Sequence, residues 1–341
     1  MKNKKLLIAS AVLAVTACTT LWANAIALKM TDNLLAMESM EGEVVQRRIL
    51  PDTPGVDVRQ KVLYQKPWKF RAEVTEPAAL RGSLFLYDGN RSIAWWPSEQ
   101  FGMRVSNVAG PDRDEVYQHL VHESTVALHD YAFSLTTVEK VAGVDANLWT
   151  VIPMVDDGYH HFHRLWMVER YSLPVKAEIL DADKKPWYAM EYRKLSFNKP
   201  VPENAFAFEF PSNAMVIDFD YADPGITLDE ARKTMNFTVM QPGKLPAGLT
   251  VGKIVRAKGT VPMLAMVMDH GATRVSLFES HAFGPSPLMK YGKEVKLGKN
   301  KGMLSFSGPY STIVWMKDKT QLTLIGNLSY PQLLQLAASV E

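Results

Sequence analysis

The chain has one cysteine among 341 residues. A lone cysteine makes no internal disulfide and supplies no Cys-based zinc site. An excess of one charge is missing too: 38 Lys and Arg stand against 36 Asp and Glu, a formal charge of +2. Beyond the first five residues no block of like charge occurs, so nucleic acid is not an expected partner. Only the N-terminus carries a long uncharged apolar run, and no other stretch approaches the roughly 20 residues of a membrane span. Gly-x-Ser-x-Gly, His-Glu-x-x-His, the P-loop and Gly-x-Gly-x-x-Gly are all absent. The sequence therefore predicts no enzyme, no metal and no cofactor. What it has in quantity is large apolar side chains, with 8 Trp and 17 Met.

Met1–Lys5 is basic, Leu6–Trp22 is apolar and uncharged, and Ala23-Asn24-Ala25 offers small residues at the positions a signal peptidase reads. This order predicts a signal peptide over residues 1–25, cleaved after Ala25, and a periplasmic or otherwise extracytoplasmic protein. Cleavage would remove Cys18, Lys2, Lys4 and Lys5, taking the formal charge to −1. Val15-Thr16-Ala17-Cys18 also loosely fits a lipobox, which would lipidate Cys18 instead. Retention as a single anchor is a third reading, with the run at the short edge of a span.

In the mature chain, apolar residues at three- and four-residue spacing predict a helix over 26–40, ended by Gly42. Strands follow at 43–50, 56–65, 68–75, 82–87, 91–96 and 101–105. Trp68, Phe70, Ala72 and Val74 alternate with Lys69, Arg71, Glu73 and Thr75, a two-residue period. Asp88-Gly89 supplies a hairpin turn. A helix capped by Asp112 runs to His122. Further strands fall at 131–141, 147–154, 159–169, 175–181 and 187–197. Lys199-Pro200-Val201-Pro202 then breaks the pattern, and a short helix is expected at 228–235. Seven more strands, from 251–258 to 321–327, precede a closing helix at 330–340. The expected organisation is a first domain over 26–198, a linker with a short helix over 199–235, and a second domain over 236–341. A long meander of antiparallel strands must curve and pack its concave face on helices.

Two polar clusters invite a chemical reading. His161 and His163 share a strand face, as two metal ligands would, with Asp156 or Asp157 as a third. A polar strand start beside a loop explains the same residues, and metal binding is the less favoured reading. Asp218 and Asp220 also share a face, and a solvated pair is preferred to acid–base chemistry.

The aromatic and Met surplus is the stronger signal. Trp68, Phe70, Phe85, Tyr87, Trp95, Trp96, Met103, Trp149, Trp166 and Met190 fall on successive strands. They are the candidate lining of an apolar ligand cavity, since such side chains repack at little cost around loosely specified ligands. Core filling is the commoner fate of such residues, and both sheet faces carry them, so parity alone does not separate lining from core. Trp95→Glu or Met190→Glu would abolish ligand uptake on an intact fold if the residue lines the cavity, and would unfold the protein if it is core.

Several stretches carry a resemblance. Lys66-Pro67-Trp68-Lys69-Phe70-Arg71, Asp88-Gly89 and Trp95-Trp96-Pro97 resemble LolA-type lipoprotein carriers. So do Val141-Ala142-Gly143, Val151-Ile152-Pro153 and Ala205-Phe206-Ala207-Phe208-Glu209-Phe210-Pro211. Arg164-Leu165-Trp166, and Leu173 through Asp181, are most similar to RseB/MucB proteins, regulators of the envelope-stress sigma factor. Leu245-Pro246-Ala247-Gly248-Leu249, Arg274–Glu279 and the C-terminal Leu324–Val340 are similar to the small second domain of those proteins.

The resemblance implies an α+β protein. A curved antiparallel half-barrel sheet closed by helices would be followed by a small α+β domain with an antiparallel sheet and a C-terminal helix. It further implies a non-enzymatic protein that binds an apolar, lipid-like ligand and a membrane-anchored anti-sigma factor. The alternative it leaves open is a LolA-like carrier whose partner is an acylated lipoprotein. The first strands look more like the carriers. The second domain exceeds what a carrier needs and favours the regulator.

Overall fold

The computed structural model describes residues 23–48, 56–154, 161–180, 183–220, 222–246, 249–258, 262–270, 273–281, 293–307, 310–326, 328 and 330–341. The chain opens in helix α1 (residues 23–35). It continues through β1 (Ser39–Arg48), β2 (Val56–Gln65), β3 (Lys69–Glu76), β4 (Leu84–Tyr87), β5 (Ser92–Trp96), β6 (Phe101–Ser106) and α2 (Arg113–Asp130). Then come β7 (Tyr131–Val141), β8 (Val144–Pro153), β9 (Phe162–Val168), β10 (Leu173–Leu180), β11 (Pro186–Phe197), β12 (Met215–Asp220) and α3 (Leu228–Thr234). The remainder is β13 (Thr250–Arg256), β14 (Met263–His270), β15 (Thr273–His281), β16 (Lys293–Leu297), β17 (Asn300–Ser307), β18 (Tyr310–Lys317), β19 (Thr320–Gly326) and α4 (Tyr330–Ala338). These strands form an open sheet of twelve strands and a second of seven.

Two compact units divide this chain. Met1–Lys69 and Gly110–Glu203 form one, and Phe70–Ala109 and Asn204–Glu341 form the other. In the first unit the strand order is β2-β1-β11-β10-β9-β8-β7, antiparallel throughout. Strands β7 and β11, at the two ends of the run β11-β10-β9-β8-β7, approach each other, so this part of the sheet curls. The β7–β8 turn puts Ala142 and Gly143 at φ 50° and 84°, as a two-residue hairpin demands.

Both helices of this unit are tied to it by polar contacts. Lys29 Nζ lies 2.6 Å from Glu169 Oε1, and Asn33 Nδ2 donates to the Glu169 carbonyl and to Ser172 Oγ. Tyr117 OH on α2 donates to Asn24 Oδ1 at 2.8 Å, and Arg113 pairs with Asp32. Asp112 and Glu115 form a reciprocal capping box at the start of α2. Gly42, expected to end a helix, instead lies inside β1. A Cβ there would stand 2.8 Å from the Tyr192 ring and the Lys194 carbonyl, so close strand approach is its reason.

In the second unit the strand order is β12-β6-β5-β4-β3. The 199–235 segment supplies β12, which pairs parallel with β6. The sequence predicts antiparallel pairing throughout; the parallel pair arises because β12 returns from a distant part of the chain rather than through a tight turn. Ile217 and Phe219 of β12 form a buried cluster with Val255, Ala257, Met263 and Ala265, against which Phe101, Met103, Val105 and Phe278 pack. The seven-stranded sheet has the order β13-β14-β15-β19-β18-β17-β16. Helix α4 contacts β16, β18 and β19 and buries Leu333, Leu336 and Ala337.

Candidate functional site

Residues directly opposite one another in a ladder share a sheet face, so register separates lining from core. Across the first unit one row reads Leu135–Trp149–Leu165–Ala177–Met190–Gln46–Val58. The next row on that face reads Phe133–Val151–His163–Ile179–Tyr188. Between them, on the opposite face, lies Ser134–Thr150–Arg164–Glu178–Ala189–Arg47–Asp57. One face is therefore apolar, and the other carries the ion pairs Arg164–Glu178 and Arg47–Asp57.

The apolar face is not fully covered. Phe133 and Leu135 remain 43% and 52% exposed on the edge strand β7. Trp149, Leu165, Ala177 and Met190 beside them are half-buried. An open run of such residues is what a binding surface for apolar matter offers. His163 is a polar member of the second row, which continues past Tyr188 to Arg48. Its ring meets Tyr131 edge-on, with centroids 5.8 Å apart and planes at 73°. Burial, with His161 nearby, pushes its pKa down to about 4, so the imidazole is neutral at ordinary pH. Among the described residues nothing hydrogen-bonds its ring nitrogens. Burial likewise pushes the Tyr192 hydroxyl up to about 12.

The ten expected lining residues do not form one surface. Trp149 and Met190 lie on the apolar face of the first unit. Trp166 lies on the other face, where its Nε1 donates to Glu139 Oε2 at 2.7 Å and Lys176 Nζ sits 4.3 Å from its ring centre. Trp68 occupies the turn before β3, and its Nε1 donates to the Pro111 carbonyl at 2.7 Å, just ahead of α2.

In the second unit, Phe70–Tyr87–Ser92–Val105 and Ala72–Phe85–Ala94–Met103 share one face. Phe85 is 48% exposed there, against Phe70 at 6.1 Å, while Met103 packs on the buried cluster with Ile217. Tyr87 donates its hydroxyl to the Val108 carbonyl, and Trp96 stacks on Phe101 at 5.6 Å. Trp95 faces the other way, 6% exposed beneath Phe208 and Phe210.

Sequence reading missed Phe133, Leu135 and His163 as members of the apolar face. The alternation of Tyr131, Phe133 and Leu135 was the available signal.

No group of three metal-binding side chains occurs among the described residues, and Asp156 and Asp157 lie outside them. Asp218 pairs with Arg104. Asp220 accepts from Asn107, Lys258 and the Ala222 amide, which hold its carboxyl down at about 2.

Comparison with known proteins agrees with this architecture. Residues 101–209 match the family model of the MucB/RseB N-terminal domain. An uncharacterised protein of Methanocaldococcus jannaschii is 22% identical over 326 residues, 93% of this chain and 92% of its own. The MucB chain in the MucA/MucB complex of Pseudomonas aeruginosa is 14% identical, with a TM-score of 0.52 over 94% of this chain and 98% of that one. The chain thus carries a match to the MucB/RseB N-terminal domain over residues 101–209 and shares the MucB fold along nearly its whole length.

Proposed function

We propose that the protein is an exported, non-enzymatic regulator of envelope-stress sigma-factor signalling. It binds a membrane-anchored anti-sigma factor in the periplasm and responds to an apolar, lipid-like ligand. The observation that carries this reading is the extent of the fold match: it spans both parts of a MucB chain that was solved in complex with MucA. No helix among the described residues is long and apolar enough to cross a membrane, and the proposed regulator requires none.

The ligand arm rests on the open apolar face around Leu135, Trp149 and Met190. An acyl chain in water recovers about 0.8 kcal/mol per CH₂ when it is buried. The same face also favours a second reading, a carrier of acylated lipoproteins.

Affinity capture from the host's envelope, with proteins and lipids identified by mass spectrometry, separates the two. A single-pass membrane protein bearing a cytoplasmic sigma-binding segment is the expected catch. Assorted acylated lipoproteins without such a partner would establish the carrier instead.

A further inference from the structure

We infer that His163 is the specificity-determining residue of the apolar face: its ring hydrogen-bonds the acyl oxygen of the ligand. This rests on the apolar-ligand arm of the proposed function and deepens it.

The neighbours of His163 in its row are Phe133, Val151, Ile179 and Tyr188. An imidazole half-buried among such residues can direct a hydrogen bond at a ligand. The surrounding protein supplies ring contact from Tyr131 and, among the described residues, no hydrogen bond. Gln46, in the neighbouring row, is already engaged: its Nε2 donates to Gln60 Oε1 at 3.2 Å.

A neutral imidazole keeps one N–H to donate and one lone pair to accept. The group that suits it is a carbonyl or carboxylate oxygen at the end of an aliphatic chain. The chain would lie along the neighbouring row, over Leu165, Trp149 and Leu135, and the oxygen would reach the His163 N–H. Free fatty acids and acyl esters both carry this oxygen. Only the free acid would bring a charged oxygen to the His163 N–H.

The test is displacement of the fluorescent probe N-phenyl-1-naphthylamine from the full chain by oleic acid, methyl oleate and 1-octadecene. Wild type is expected to bind the two oxygen-bearing ligands about tenfold more tightly than the hydrocarbon, the worth of one buried hydrogen bond. His163→Phe should lose the tenfold preference and bind all three ligands alike, and His163→Gln should keep part of it. Methyl oleate matching oleic acid at every pH identifies the ester as sufficient. A preference for oleic acid over methyl oleate at neutral pH identifies the free acid. Equal binding of all three ligands by wild type, or a preference that survives His163→Phe, overturns the role of His163 and leaves the apolar site standing. Failure of wild type to bind the probe at all overturns the apolar-ligand reading itself.

Discussion

Arg104 on β6 and Asp218 on β12 stand opposite each other in parallel register, with Nε and Oδ1 2.5 Å apart and Nη2 bonded to Oδ2 at 3.1 Å. This two-pronged pair fastens the segment between the expected domains to the sheet. Directly along β12, Ile217 and Phe219 enter the cluster formed by Val255, Ala257, Met263 and Ala265. A stretch bounded by prolines thus acts as a structural strand, and its carboxylates are ion-pair partners.

Asp218→Ala leaves a half-buried guanidinium without its partner. The expected loss is about 1–3 kcal/mol, seen as a lower midpoint in denaturant unfolding. Replacing both residues by Leu should recover most of that loss, because the pair must be desolvated and two packed apolar side chains need not be. A double variant no more stable than Asp218→Ala would show that the pair itself, not the orphaned charge, carries the stability.

Trp95 and Met190 are equivalent candidates for a charged substitution by sequence, and the structure separates them. Trp95 is buried beneath Phe208 and Phe210, so Trp95→Glu should destabilise by about 4 kcal/mol or more and abolish cooperative unfolding. Leu135, more than half exposed on the apolar face, is the better site for testing ligand uptake. Leu135→Glu should leave the circular dichroism spectrum and melting temperature near wild type while weakening N-phenyl-1-naphthylamine binding by about tenfold or more, the cost of setting a charge against an apolar ligand. Unaltered probe binding would move the ligand elsewhere.

Much of the fold was legible in the chain. Val56–Gln65, Tyr131–Val141 and Lys293–Leu297 match expectation at both ends, because alternation and flanking turn residues mark them. The second half of α2 was not legible. Ser124, Thr125 and Val126 follow His122 and lower helix propensity, yet the helix runs to Asp130. Neither was the face of each aromatic. Trp149 and Trp166 lie on adjacent strands, and only the register Leu148↔Trp166 and Trp149↔Leu165 puts them on opposite faces. Parity within a strand is local information, whereas register across strands is set by pairing and bulges, such as the shift at Leu135/Thr137.

The two units should respond to pH with opposite signs. His163 has a depressed pKa, so its contribution in the first unit is present above about 6.5 and is lost as pH falls toward about 4. Glu279 in the second unit is fully buried between Leu264 and Leu322, with one oxygen accepting the Met240 amide at 2.8 Å. Burial pushes its pKa up to about 7, against the partial relief of that amide and Arg232. A raised carboxyl pKa favours the folded state at low pH. That stability is lost as pH rises from about 4.5 through about 7, on the order of 3 kcal/mol. Glu279→Gln should remove this slope and make the second unit more stable at pH 8. The check is hydrogen exchange of the β14, β15 and β19 amides at pH 5 and pH 8, corrected for intrinsic rates. A wild-type slope that persists in the variant would place the titrating group elsewhere.

Gly102 offers a sharper packing test. A Cβ at this position would lie 2.7 Å from Phe210 Cδ1 and closer still to Cε1, far inside contact distance. Phe210 has little room to yield, since its ring meets Phe208 at 5.2 Å and Trp95 at 5.8 Å. Gly102→Ala should therefore cost about 1–3 kcal/mol through overpacking. Phe210→Ala alone should cost about 1–3 kcal/mol, since a half-buried ring that covers Trp95 is lost. The clash disappears when the ring is absent, so the double variant should be less destabilised than the sum of the singles. A coupling energy of about 1 kcal/mol or more from denaturant unfolding would place the two groups in direct contact. Strict additivity would mean that the 205–210 segment can lift away from Trp95, and that the face beneath it is accessible in solution.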